Sequence, residues 1–180
     1  MSAEAGLHAT SVVYGENGVL ILGPSGSGKS GLALALLARA RSTGLFAALI
    51  GDDRIWIRRV GGRLIASGAR DLAGVIERRM AGLLTVGSDS AAVVRLIVEL
   101  SEPGRVWPRL PDEPDLVTLD GIEAPRLALD SRQSANDQAI AVDERLWLMA
   151  ADRGRRKRIS LEHCAAVHKN GKVASPPRLE

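Results

Sequence analysis

The run Gly23-Pro24-Ser25-Gly26-Ser27-Gly28-Lys29-Ser30 satisfies G-x-x-x-x-G-K-[ST] at every specified position, and it restricts the fold more than any other stretch of the chain. Such a loop works only where a strand runs into it and a helix runs out of it. Both are present: Val19-Leu20-Ile21-Leu22 is a short apolar strand candidate, and residues 32–41 are good helix formers that stop before Gly44. The glycines let successive backbone N–H groups converge on one anion, and the helix start adds the positive end of its dipole. Lys29 supplies a point charge to β- and γ-phosphates, and the Ser30 hydroxyl is the expected Mg²⁺ ligand. The run is therefore read as the site of a nucleoside triphosphate, with ATP and Mg²⁺ expected.

The rest of the chain reads mainly as strands in pairs. Val12-Val13 and residues 19–22 flank Gly15-Glu16-Asn17-Gly18, where the Asn-Gly step predicts a hairpin turn. Ile55-Trp56-Ile57 and Leu64-Ile65-Ala66 flank Gly61-Gly62, and residues 116–119 and 122–124 bracket Asp120-Gly121. Residues 46–50 are apolar throughout, as in a strand buried on both faces, and residues 92–100 form the longest strand candidate. A loop with Pro103, Pro108, Pro111 and Pro114 follows, and a closing helix is expected over about residues 137–151. The expected fold class is α/β, a P-loop domain with a mixed sheet, several hairpins and one main P-loop helix.

Charge divides the chain. Residues 1–150 carry 16 basic against 18 acidic side chains, and residues 151–180 carry eight against three. The basic excess sits in Arg153-Gly154-Arg155-Arg156-Lys157-Arg158, so the reading is a P-loop domain over residues 1–150 and a flexible basic tail over 151–180. A nucleic-acid partner is not expected, because a basic patch would then lie on the folded body. A single cysteine, Cys164, the absence of a leader-like start and the lack of a long apolar run point to a cytoplasmic chain without a membrane span. With aromatics at 3%, the core must be built from Leu, Ile, Val and Ala.

Gly51-Asp52-Asp53 ends the apolar strand, expected beside the strand that feeds the phosphate loop. One carboxylate there can hold Mg²⁺ and the other can accept a proton, or the pair can simply open a turn; the local residues leave both readings open. His8, the stretch Glu77-Arg78-Arg79-Met80 and Arg109 within Trp107-Pro108-Arg109-Leu110 would each pass, taken singly, as surface residues.

Taken in order, these segments resemble the catalytic domain of HPr kinase/phosphorylase over about residues 7–149. The resemblance rests on His8, the loop at residues 23–30, Asp52-Asp53, Glu77-Arg78-Arg79 and Trp107-Pro108-Arg109-Leu110. It implies a fold of the phosphoenolpyruvate carboxykinase-like type, ATP-dependent phosphorylation of a serine on the phosphocarrier protein HPr, the reverse phosphorolysis, and a hexamer. It also implies a short form lacking the family's N-terminal domain. By the same carry-over Asp53 is the base with Asp52 assisting, His8 and Arg109 lie beside the transferred phosphoryl group with Lys29, and Ser30 and Glu77 hold the metal. The chain departs from the family pattern at Gly31, Arg78 and Met80. It departs most in Asp130-Ser131-Arg132-Gln133-Ser134-Ala135-Asn136, which keeps one arginine where the family's phosphorolysis loop has two. A weakened reverse reaction is expected. The competing readings are a small-molecule kinase of the nucleoside monophosphate type and a nucleotide-binding sensor that has lost catalysis.

Overall fold

The computed structural model describes residues 6–101 and 115–170, with side chains up to residue 152. Strands β1 (Leu7–His8), β2 (Thr10–Tyr14) and β3 (Asn17–Leu22) lead into helix α1 (Lys29–Thr43). Then come β4 (Ala47–Gly51), β5 (Arg54–Val60), β6 (Arg63–Gly68), β7 (Val75–Arg78), β8 (Gly82–Thr85) and β9 (Ala91–Ser101). Strands β10 (Leu116–Leu119) and β11 (Ile122–Asp130) and helix α2 (Ala135–Asn170) complete the described chain. The expected mixed α/β sheet with hairpins is present. Among the described residues, nine strands form one sheet in the order β1-β5-β6-β9-β3-β2-β4, β11 also pairs with β9 and β10, and β7-β8 stand as a separate pair.

Two local expectations are corrected. The first hairpin turns at Gly15-Glu16, because Tyr14 pairs with Asn17, so the Asn17-Gly18 step lies in β3. Gly18 is needed there for another reason: a Cβ would run into the Val93 carbonyl of the neighbouring β9. The carboxylate-bearing strand β4 is not beside the loop-feeding strand β3; β2 lies between them, antiparallel to both. Two antiparallel steps restore the direction, so β3 and β4 run parallel across β2 and their carboxyl ends meet at one edge.

Strand β9 is the centre of the sheet. One edge pairs parallel with β3, while the other takes β6 antiparallel near its start and β11 parallel near its end. Helix α1 packs on β2, β3 and β4. Leu20 sits in a cluster with Ala9, Ile55, Leu64, Ala66, Val94, Ile97 and Ala124, so its neighbours Val19 and Ile21 point to the opposite face, the one α1 covers. Leu32 and Leu36 of α1 are fully buried, and truncating either to Ala should cost about 2–5 kcal/mol. Gly44, at φ 72, caps α1 where the sequence places its stop. Helix α2 runs on to Asn170, past the expected end near residue 151. The chain divides into two compact units between Asp143 and Glu144; in the first, Asp143 binds Arg39 at 2.7 Å and accepts the Tyr14 hydroxyl at 3.3 Å.

Candidate active site

The loop after β3 is closed by a turn in which Ser27 N–H donates to the Pro24 carbonyl at 3.2 Å. It is walled by β9: a Cβ on Gly23 would lie 2.8 Å from the Leu100 carbonyl and 2.7 Å from Ser27 Oγ, so only glycine fits. Helix α1 then begins at Lys29 with no side-chain cap and no acidic residue in its first turn. Its first N–H groups lack the usual carboxylate or hydroxyl acceptor.

Lys29 is buried, only 7% exposed, and its ammonium is surrounded by neutral acceptors. It donates to the Gly23 carbonyl at 3.0 Å, the Pro24 carbonyl at 3.1 Å and His8 Nε2 at 2.9 Å. Burial pulls its pKa below the ordinary lysine value, partly offset by attraction to Asp52 and Asp53. An ammonium can only donate, so His8 Nε2 is the acceptor and the ring proton sits on Nδ1. That Nδ1 lies 3.0 Å from Asp53 Oδ1. His8 reaches this point because β1 pairs it with Arg54, one residue past Asp53. Lys29, His8 and Asp53 thus form one directed chain of hydrogen bonds.

The two carboxylates, equivalent by sequence, are held differently. Asp52 is half-buried and accepts from Thr10 Oγ1 at 2.6 Å, from Ser30 Oγ at 3.0 and 3.1 Å, and from the Glu77 N–H at 3.2 Å. Asp53 is exposed, with His8 as its partner. Its backbone has φ 66, and the Asp52 carbonyl accepts the Arg54 N–H at 2.8 Å across it, a γ-turn of the rarer positive-φ kind. A non-glycine residue held in the left-handed region costs about 1–3 kcal/mol, and such strain gathers at working sites. The turn throws Asp53 outward while Asp52 stays in.

The β7-β8 pair was not expected from sequence, where residues 75–82 read as a solvated charged stretch. It brings the Glu77 backbone onto Asp52 and leaves the Glu77 side chain exposed. It also carries Arg79, whose Nη2 lies 3.1 Å from where a Gly26 Cβ would stand. Arg79 has no carboxylate partner among the described residues. Arg109 lies outside the described residues. Two contributors were missed outright, Thr10 and the Arg79 approach to the loop. Both depend on contacts between segments far apart in sequence, which no local pattern reveals.

Ser30 offers a hydroxyl oxygen whose proton Asp52 takes, and the exposed Glu77 side chain offers a carboxylate, hard oxygen donors of the kind Mg²⁺ takes. Among the described residues no three His, Cys, Asp or Glu side chains cluster into a metal nest. That donor set suits an ion completed by phosphate and water rather than one caged by protein.

At the carboxyl end of β11, Asp130 and Arg132 are locked together. Arg132 Nη2 lies 2.7 Å and Nε 3.1 Å from Asp130 Oδ2, and the Arg132 N–H donates to Asp130 Oδ1 at 2.9 Å. Hydrogen bonds from Arg132 hold the Asp130 carboxyl below its usual range, and Asp130 raises Arg132 in turn. Further back along β11, Arg126 is clamped between Asp115 and Glu99, each at 2.8 Å.

The family model described as HPr Serine kinase C-terminal domain matches residues 1–143. An HPr kinase/phosphorylase from Caldicellulosiruptor bescii is 31% identical over 171 residues, covering 89% of this chain and 51% of that protein. One from Caldanaerobacter subterraneus subsp. tengcongensis is 33% identical over 134 residues, covering 69% of this chain and 42% of the other. The chain thus spans about half the length of these curated relatives. A solved structure titled Hpr(Ser) kinase/phosphatase from Coxiella burnetii superposes with a TM-score of 0.65 at 23% identity, over 93% of this chain and all of that one. That likeness speaks for the fold. Among the described residues no helix is long and apolar enough to cross a membrane.

Proposed function

From the premise that the chain belongs to the HPr Serine kinase C-terminal domain family, we propose that it transfers the γ-phosphoryl group of ATP to a serine hydroxyl of the phosphocarrier HPr. The observation that carries this reading is the division of labour between Asp52 and Asp53 beside the phosphate loop. Asp53, exposed and oriented by His8, takes the proton of the acceptor serine. The serine oxygen then bonds to the γ-phosphorus as the bond to the departing ADP oxygen breaks. Lys29, already buried among neutral acceptors, turns its charge to the β- and γ-phosphates, and His8 stands beside the transferred group. Arg79 approaches the same loop from β7-β8 and adds a second cation; Arg109 is assigned to the same group by family resemblance.

Mg²⁺ would be held by Ser30 and Glu77 with Asp52 behind Ser30, and when bound it neutralises charge on the phosphate oxygens. The fold is proposed to be of the phosphoenolpyruvate carboxykinase-like type. Residues 1–150 are proposed as the P-loop kinase domain and 151–180 as a basic tail, in a cytoplasmic, hexameric protein. Light scattering that gives a monomer at micromolar concentration would count against the hexamer.

The decisive experiment incubates the chain with labelled ATP, Mg²⁺ and HPr and looks for phosphoserine. Label in HPr that survives acid and is lost with Asp53→Asn supports the assignment. ATP binding with no transfer to HPr at any concentration overturns it.

A further inference from the structure

Thr10 touches neither nucleotide nor acceptor in this scheme, yet it is fully buried and makes the shortest hydrogen bond of the site, Oγ1 to Asp52 Oδ1 at 2.6 Å. A hydroxyl buried in a sheet interior is costly unless it has a partner, and an apolar β-branched residue would fit β2 as well. We propose that Thr10 is a positioning residue for the metal side of the phosphate site, acting through Asp52 to hold Ser30 in its metal-binding orientation. The proposal rests on the Mg·ATP reading given above and deepens it.

The chemistry follows from counting protons and lone pairs. Ser30 has one hydroxyl proton and two lone pairs. With both Asp52 oxygens within 3.1 Å, its proton points to Asp52 and its lone pairs are left for a cation. This works only while the Asp52 carboxylate keeps its plane. Three elements hold that plane: Thr10 from β2 on Oδ1, Glu77 N–H from β7 on Oδ2, and Ser30 itself from α1. Ser30 cannot anchor the group that orients it, and β7 belongs to the small separate pair rather than to the main sheet. Thr10 is the anchor within the main sheet, in the segment of β2 paired with β3 just before its register shifts against β4. Ligand-orienting groups of this kind typically change metal affinity by about 10–100-fold when removed.

The test compares Thr10→Val with Thr10→Ser. Binding of Mn²⁺ to the complex with a non-hydrolysable ATP analogue, read by electron paramagnetic resonance, reports the metal without turnover. Thr10→Val is expected to weaken Mn²⁺ by about 10–100-fold, with thermal stability kept and metal-free analogue affinity within about threefold. Thr10→Ser is expected to restore Mn²⁺ binding. Wild-type Mn²⁺ affinity in Thr10→Val overturns the proposal, and so does a Thr10→Ser variant as weak as Thr10→Val. If Thr10→Val fails to fold, Thr10→Ala is read by the same criteria. A wild-type chain that binds the analogue in neither the presence nor the absence of Mn²⁺ overturns the nucleotide reading beneath it, a separate outcome.

Discussion

The starts of the two helices are built in opposite ways. At α1 the first turn has no side-chain cap and no acid, and its lysine is held by carbonyls and an imidazole. At α2 the capping hydroxyl and the neighbouring cation are already engaged. The Ser134 hydroxyl accepts the Asp137 N–H at 3.1 Å and donates to the Asp137 carboxylate at 2.7 Å, while Asp130 accepts the Arg132 N–H and neutralises its guanidinium. An isolated reading of charge would rank Arg132 with Lys29 as a phosphate ligand. The difference lies in the partners. A cation held by neutral oxygens keeps its field for an incoming anion, whereas one paired to a carboxylate must first surrender that pair.

The largest expected effect sharpens the first half of this contrast. Asp53→Asn keeps the γ-turn and the His8 contact but removes the proposed base, so phosphoryl transfer should fall by about 10²–10⁴ while nucleotide still binds. Rapid-quench transfer assays and calorimetry separate the two. A dead Asp52→Asn beside an active Asp53→Asn would reverse the assignment.

Lys29→Met should weaken nucleotide binding by about 10²–10³ without loss of stability in the free protein. The reason is the direction of the Lys29 shift. Because its pKa is lowered by folding, the unfolded chain binds more protons between the folded value and the ordinary lysine range. Its contribution to stability therefore rises with pH through that alkaline window, and the full penalty applies below it. Chemical denaturation of both proteins from neutral to alkaline pH should show the rise in the wild type and a flatter profile in Lys29→Met. Equal slopes would show that Lys29 is not a strained charge.

How much of this was legible beforehand depends on sequence distance. The phosphate loop, the acidic pair at the end of an apolar strand and the Gly44 stop are local patterns, and each is present. The strand that carries the pair, however, lies one strand away from the expected neighbour. The partners that make Asp52 and Asp53 different come from Thr10, His8 and Glu77, brought in by strand pairing from both sides of the chain. The β7-β8 pair escaped notice because its residues are charged or exposed on most faces, leaving no two-residue alternation to read. Inserting β2 between β3 and β4 likewise cannot be inferred from apolar runs that look alike.

The second half of the contrast predicts that phosphate-driven dephosphorylation is weak. Phosphoserine-HPr and millimolar phosphate should release little pyrophosphate, and Arg126, engaged by Asp115 and Glu99, cannot readily supply the missing charge. Asp130→Asn frees Arg132 while keeping the turn geometry, so it should raise that release by about fivefold with the forward rate unchanged. A wild-type reverse rate matching the forward one would break the comparison. The smallest effect is expected at Arg79→Gln: a rise of about threefold in KM for ATP, fading as salt is added, since the side chain is exposed. A salt-independent loss would mean a packing role instead.

The pairing of Leu20 with Ile97 carries a further consequence for how the molecule comes into being. The β2–β3 hairpin is a local structure that closes in about 1–10 μs. The wall behind Gly23 belongs to Leu100, which a ribosome adding roughly 5–20 residues per second reaches only seconds later. Through that interval the β2–β3 hairpin, marginal when it stands alone, has no β9 to pair with its β3 edge or to back the phosphate loop. Such an edge invites pairing with another chain. The β3 edge is covered only when β9 has been made, so chaperone demand during translation is expected to fall once residue 101 has cleared the exit tunnel.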